Sequence, residues 1–178
     1  MTVLVAYASR YGATRQIAGR IGAVLSVNLE PIGQDVRVRR VQEVDDLTPY
    51  DSVVVGAATY RDAWLPDAVA FVERHHQALV DRPVWLFASG PLGAADADPS
   101  QQWGEAPELA RVAETLGALD FRRFAGALQV SQLSVPDRVR WLRAGGRDRL
   151  PQGDFRDWNA IDAWAHRVAD DLGVIGCR

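Results

Sequence analysis

From its second residue onward, this chain alternates apolar runs too short for a helix with apolar stripes at helical spacing, and that alternation limits what it can fold into. Thr2 to Ala8 is a Val/Leu-rich run closed by the turn-like Ser9-Arg10-Tyr11-Gly12, as expected of a strand buried on both faces. Ile17, Ile21, Val24 and Leu25 then recur at helical spacing. Asp35 to Val41 alternates Val36, Val38 and Val41 with Arg37 and Arg39, so the second strand has one wet face and belongs at a sheet edge. Asp51 to Ala57 is the strongest buried-strand run, and Leu65, Val69, Val72, His76 and Leu79 follow it on one helical face. Pro83 to Ala88 predicts a fourth strand, Leu109, Val112, Ala113 and Leu116 a third helix, and Phe124 to Val130 a fifth strand. The last helix begins near Trp158, with Asp157 as N-cap and Ile161, Ala165, Val168 and Leu172 turned inward.

Strands separated by helices point to an α/β chain with a doubly wound sheet. The 178 residues form one expected domain, 1–178, without repeats or low-complexity tracts. One stretch breaks the rhythm. Ser131 to Phe155 is rich in Arg, Pro and Gly, and 131–155 reads as a long connection of the functional or mobile kind.

Composition removes several chemistries. All 20 basic residues are Arg. A chain without Lys has no Walker-type phosphate loop, no kinase-type strand Lys and no Schiff-base amine. The net charge of −3 gives no large footprint for nucleic acid. No apolar run approaches the ~20 residues that span a bilayer, and Met1 leads into an apolar strand without a basic leader, so a cytoplasmic protein without an integral membrane segment is expected. Cys177 is the single cysteine, which excludes an internal disulfide and a Cys-based metal site. His75 and His76 point ~100° apart on a helix and are no metal pair; His76, on the apolar stripe, reads as a structural histidine. Trp85 and Trp103 read as packing residues, and no metal is expected.

In an open α/β sheet, ligands bind beyond the carboxyl ends of the strands, where strand order reverses. After the first strand, Ser9-Arg10-Tyr11-Gly12-Ala13-Thr14 brackets a turn glycine with two hydroxyls and leads into a helix N-terminus, a ready anion site. After the third, Ala57-Ala58-Thr59-Tyr60-Arg61-Asp62-Ala63-Trp64 follows small residues with the flat surfaces of Tyr60 and Trp64. After the fourth, Ser89-Gly90-Pro91-Leu92-Gly93 lets backbone amides approach a ligand closely. A planar heterocycle between the loops, with its phosphate on the first, fits this arrangement.

Val3 to Thr14, an apolar strand with Tyr7 and then Ser9-x-x-Gly12-x-Thr14, resembles the flavodoxin signature, and Tyr50-Asp51 before the third strand matches the same pattern. The resemblance implies a flavodoxin-like, five-stranded parallel sheet of order 2-1-3-4-5 with helices on both faces, and non-covalent FMN. By position, Ser9, Arg10, Tyr11, Gly12, Ala13 and Thr14 would hold the phosphate. Ala58, Thr59, Tyr60, Arg61, Ser89, Gly90, Pro91, Leu92 and Gly93 would line the ring. Within that superfamily, Gly56 to Arg61, Ala70 to His76, Phe124 to Leu128 and Asp157-Trp158 are most similar to the menaquinone-dependent protoporphyrinogen dehydrogenases. Ser131 to Phe155 departs from them: it keeps Arg138, Arg140, Arg143, Arg147, Arg149 and Trp141 but has little apolar bulk for a membrane quinone or porphyrin.

The expected function is therefore an FMN-dependent oxidoreductase acting on a quinone or porphyrinogen-like small molecule, with a redox protein as a further partner. Tyr60 and Arg61 are its candidate catalytic residues, and the Arg-rich connection is a candidate lid for an anionic substrate. The alternatives are an electron-transfer flavodoxin without its own substrate and a reductase using a deazaflavin coenzyme.

Overall fold

The computed structural model describes residues 1–60, 63–90, 107–143 and 152–176. Along the chain run β1 (Thr2–Ala8), α1 (Ala13–Leu29), β2 (Asp35–Arg40), β3 (Ser52–Tyr60), β4 (Ala63–Trp64), α2 (Pro66–Arg74), α3 (His76–Val80) and β5 (Val84–Gly90). Then follow α4 (Pro107–Leu116), β6 (Asp120–Ala125), β7 (Ala127–Leu128), α5 (Val135–Arg143), β8 (Gly153–Asp154) and α6 (Trp158–Gly176). The parallel strands lie in the order β2-β1-β3-β5-β6, with β4 antiparallel to β3. This is the expected flavodoxin-like α/β order, and the half-wet β2 occupies an edge.

Side chains on each central strand alternate between two cores, as the twofold period of a strand demands. Val3, Val5, Tyr7, Val54, Trp85 and Phe87 pack beneath α1 and α6 against Ile17, Ile21, Leu25, Ile161, Trp164 and Val168. Leu4, Ala6, Ala8, Val53, Val55 and Leu86 face α2, α3 and α4, where Phe71, Leu79, Leu109 and Leu116 meet them. Phe87 lies across Gly56 on the neighbouring strand, and any Cβ there would sit within 2.4 Å of its ring atoms. The same ring meets Phe124 and Trp164, each at a 6.1 Å centroid distance. Buried indole N–H groups end on carboxylates, Trp164 on Asp120 at 2.8 Å and Trp85 on Asp171 at 3.3 Å. Asp157 caps α6 as expected, its Oδ1 accepting the Ala160 N–H at 3.0 Å.

Two expectations are corrected here. The fifth parallel strand is Asp120–Ala125, not Phe124 to Val130. It buries Phe121 and Phe124 and leaves Arg122 and Arg123 half-exposed at the sheet edge, where a charged pair within a strand is tolerated. The ladder stops at Gly126, whose N–H donates to the Gly90 carbonyl and whose Cβ, if present, would lie 2.7 Å from that oxygen. The second correction concerns the histidines. α2 ends before His75, and the buried face is Ala68, Phe71, Val72, His75 and Leu79, with Val69 and His76 exposed. Seating the large Phe71 ring rotates the stripe by about one residue from the expected one. The long connection expected at Ser131 to Phe155 carries α5 and β8, which pairs with β7.

His75 stacks on Phe71 at 4.8 Å, accepts the Arg74 Nε–H at Nε2 (3.1 Å) and hydrogen-bonds the Val44 carbonyl. Burial, more than anything else, holds its pKa below the ordinary 6.5. The unfolded chain therefore takes up a proton near pH 6.5 that the folded chain refuses, so stability is complete above that pH and declines as pH falls through the folded-state pKa. Urea midpoints measured between pH 7.5 and 5.5 should drop, and His75→Gln should flatten that dependence. Gly56→Ala should cost about 1–3 kcal/mol in urea unfolding, because the Phe87 ring has no room to move aside.

Candidate functional site

Strand order reverses between β1 and β3: the chain leaves β1 towards β2 on one side and continues from β3 towards β5 on the other. Beyond their carboxyl ends sits the Ser9–Thr14 turn. Gly12 adopts a left-handed conformation (φ 89°), which a side chain would strain, and its N–H donates to Ser9 Oγ at 3.1 Å. Thr14 is buried in the first turn of α1, which has no side-chain cap and no acidic residue. Uncapped first-turn amides and the helix dipole make this turn attractive to an anion.

Arg10 and Tyr11 are turned towards α5. Arg10 Nη2 pairs with Asp137 Oδ2 at 3.0 Å, and the Tyr11 hydroxyl donates to the same oxygen. Ser134 Oγ donates to it as well, at 3.1 Å. A second anchor lies further along α1. Arg156 binds Asp154 through Nε and Nη2, donates from Nη1 to Gln16 Oε1 and rests 4.5 Å above the Trp158 ring. The Arg156 hydrogen bonds hold the Asp154 carboxyl below its usual range. The connection after β7 is thus tied to α1 and its preceding turn at both ends.

At the ends of β3 and β5, Thr59 and Ser89 are buried, and Thr59 Oγ1 donates to the Ser89 carbonyl at 3.4 Å. The Thr59 side chain thereby ties β3 to the β5 backbone, and the adjoining Ala58 and Gly90 are half-buried. A Cβ at Gly90 would come within 2.9 Å of Thr59 Oγ1, so the approach is shaped for glycine. Trp64 corrects an expectation: it pairs opposite Thr59 but is buried in the α2/α4-side core, so it presents no open surface. Tyr60 pairs with Ala63 through its backbone. The Tyr60 and Arg140 side chains lie outside the described residues, as do Arg61, Pro91, Leu92, Gly93, Trp103, Arg147, Arg149 and Cys177.

Sequence reasoning missed Ser134, Asp137, Gln16 and Arg156. Ser134-x-x-Asp137 is a readable capping pattern for α5, but its attachment to Tyr11 spans 126 residues and leaves no local trace. A groove of about 320 Å³ between Leu128–Ser131 and Gln152–Gly153 includes none of the three loops. Among the described residues no cluster of His, Cys, Asp or Glu is placed to hold a metal ion, and no helix is long and apolar enough to cross a membrane.

The flavodoxin domain family matches residues 4–140. Among solved structures, a flavodoxin from the domain Archaea is similar at 19% identity and a TM-score of 0.51, over 82% of this chain and 94% of that one. Oxidised Flavodoxin 1 from Bacillus cereus is similar at 19% identity and a TM-score of 0.51, over 82% and 95%. The rubredoxin oxygen:oxidoreductase of Desulfovibrio gigas is similar at 13% identity and a TM-score of 0.58, over 97% of this chain but 36% of that longer one. These likenesses concern the fold. No curated protein matches the chain significantly.

Asp137→Ala would leave Arg10 and the Tyr11 hydroxyl without their carboxylate and loosen α5. Trypsin should then cut at Arg138 and Arg143 severalfold faster, with the melting midpoint of the whole domain changing little, because exposed ion pairs contribute at most about 1 kcal/mol.

Proposed function

This chain belongs to the flavodoxin domain family, and on that premise we propose that it is an FMN-dependent oxidoreductase. One observation supports this reading above the others: the left-handed Gly12, the Ser9 Oγ bond to its N–H and the uncapped, acid-free first turn of α1 stand together at the strand-order reversal. The residues present fit a flavin mononucleotide. The Ser9 and Thr14 hydroxyls and the amides of Gly12, Ala13 and Thr14 would hold the phosphate, while Asp137 positions Arg10 and Tyr11 at its rim. The ring would lie along Ala58, Thr59, Tyr60 and Arg61 on one side and Ser89, Gly90, Pro91, Leu92 and Gly93 on the other, with Thr59 holding the two strand ends together. When bound, FMN supplies the one- or two-electron chemistry.

The chain's own contribution is electrostatic and positional. Arg10 is already paired with Asp137, so the anion would be held chiefly by dipoles that need no reorganisation. Arg61 would set a permanent positive charge beside the ring, favouring its reduced, anionic form, and Tyr60 is the candidate proton donor. The substrate proposed is a quinone or porphyrinogen-like small molecule, with the Arg-bearing connection after β7 beside the site to meet its negative groups.

Titration of the purified chain with FMN, followed by flavin fluorescence, tests the reading. Ser9→Ala and Thr14→Val should each weaken binding about tenfold or more, as loss of a hydrogen bond to a charged group does. No flavin affinity in the native chain, and none after refolding with FMN, would end the proposal. Catalytic reduction of a soluble quinone by the loaded protein, with a porphyrinogen oxidised as the electron donor, supports the enzyme. Single-electron exchange with a viologen, without turnover of quinone or porphyrinogen, would make it a carrier instead.

A further inference from the structure

Besides the hydroxyls of Ser9 and Thr14, the first turn carries two donors suited to a phosphate, the Arg10 guanidinium and the Tyr11 hydroxyl. Both are spent on one carboxylate oxygen of this chain. Arg10 Nη2 lies 3.0 Å from Asp137 Oδ2, the Tyr11 hydroxyl donates to the same oxygen, and Ser134 Oγ is a third donor at 3.1 Å. The Ser134 N–H donates to the Tyr11 hydroxyl at 3.4 Å, and the Arg10 guanidinium lies 5.6 Å from the centre of the Tyr11 ring. Arg10 and Tyr11 thus face α5 as one unit.

A carboxylate so placed acts twice against an anion in the turn. It occupies two donors in charge-assisted contacts, which are not shared without loss. It also brings a negative charge to the turn, although the first turn of α1 carries no acidic residue of its own. The two partners differ in freedom: the Asp137 side chain is 15% exposed and fixed on a helix, whereas that of Arg10 is 50% exposed on a turn. A phosphate monoester brings about two negative charges against the carboxylate's one. It can therefore draw Arg10 away at the modest cost of a half-exposed ion pair. None of the described residues of α5 belongs to either core cluster, so these polar contacts matter to its docking. The Arg156–Gln16 contact still anchors the far end of the connection.

We propose that Asp137 regulates the Ser9–Thr14 turn as an internal competitor of the phosphate. In one arrangement Arg10 and Tyr11 hold α5 through Asp137; in the other they turn to a bound phosphate and α5 is released. That the phosphate belongs to a flavin rests on the reading above, and the competition itself does not. By linkage, α5 docking weakens phosphate binding by the same factor by which phosphate weakens α5 docking.

The test uses the full chain, with FMN and inorganic phosphate as separate ligands in calorimetry and riboflavin as a control without the phosphate group. Asp137→Asn removes the charge and keeps an oxygen to accept from Tyr11 and Ser134. It should bind FMN and inorganic phosphate about fivefold more tightly, the factor of one exposed ion pair, and riboflavin as the native chain does. In an Arg10→Gln background the same substitution should gain about twofold or less, because no cation is left to release. In the native chain, saturating phosphate should speed tryptic cleavage at Arg138 and Arg143 severalfold over chloride at matched ionic strength. Weaker phosphate binding in Asp137→Asn would make Asp137 a positioning residue and overturn the proposal. So would an equal gain in both backgrounds, or a tryptic rate that phosphate leaves unchanged or slows. Phosphate that binds and releases α5 in a chain without affinity for FMN ends the flavin reading and leaves the competition standing. FMN held equally by the native and Asp137→Asn chains ends the competition and leaves the flavin reading; a chain that binds neither ligand ends both.

Discussion

Parallel strands that lose water on both faces keep their backbone hydrogen bonds satisfied only by pairing on both edges, and β1, β3 and β5 do so here. Their residues from Val3 to Ala8, Ser52 to Ala57 and Val84 to Ala88 are buried throughout. Each strand must then return to the same end of the sheet through a covering helix, so every loop that can face a ligand opens at one edge. The Gly56–Phe87 contact shows how tightly this is built, with one residue's missing side chain making room for another's ring. The location of the Ser9–Thr14 turn is a consequence of core burial.

Charge at that turn is arranged with equal economy. A chain without Lys has only permanent guanidinium cations near neutral pH. Among the described residues, Arg10 pairs with Asp137, Arg156 with Asp154 and, along α1, Arg20 with Asp162. Hydrogen bonds from Arg20 and Arg156 hold the Asp162 and Asp154 carboxyls below their usual range, so these pairs stay ionised over ordinary pH. At the Ser9–Thr14 turn an anion meets the dipole of α1, its uncapped amides and two hydroxyls, with the exposed Arg15 one residue further on. The same pairing explains how α5 can stay docked without entering the core, which leaves Val135, Val139 and Leu142 exposed.

Where the sequence misled, the reason is a competition that local pattern cannot decide. Leu65, Val69, Val72, His76 and Leu79 make a helical stripe on paper, but Phe71 needs the larger space beneath the sheet and brings His75 inward with it. The strand expected at Phe124 to Val130 starts earlier, at Asp120, because at an edge Arg122 and Arg123 reach water while Phe121 and Phe124 point in. Trp64 looks like a surface for a ligand until β4 folds back on β3 and buries it. In each case the local signal was real and the neighbour across the sheet or helix decided.

The amino-acid order by itself determined the strand–helix alternation, the edge position of β2, the buried runs of β1, β3 and β5, the Asp157 cap and the glycine-bearing turn after β1. All of these rest on hydrophobic period or on single-residue backbone preference, which act over a few neighbours. Only the tertiary structure decided that Asp137 would reach Tyr11 and Arg10, that the Thr59 hydroxyl would be spent on the Ser89 carbonyl, and that the Arg-rich connection would carry a helix with Val135, Val139 and Leu142 exposed. Those contacts join residues 30 to 127 positions apart, and no periodicity along a chain encodes a distance that only packing closes.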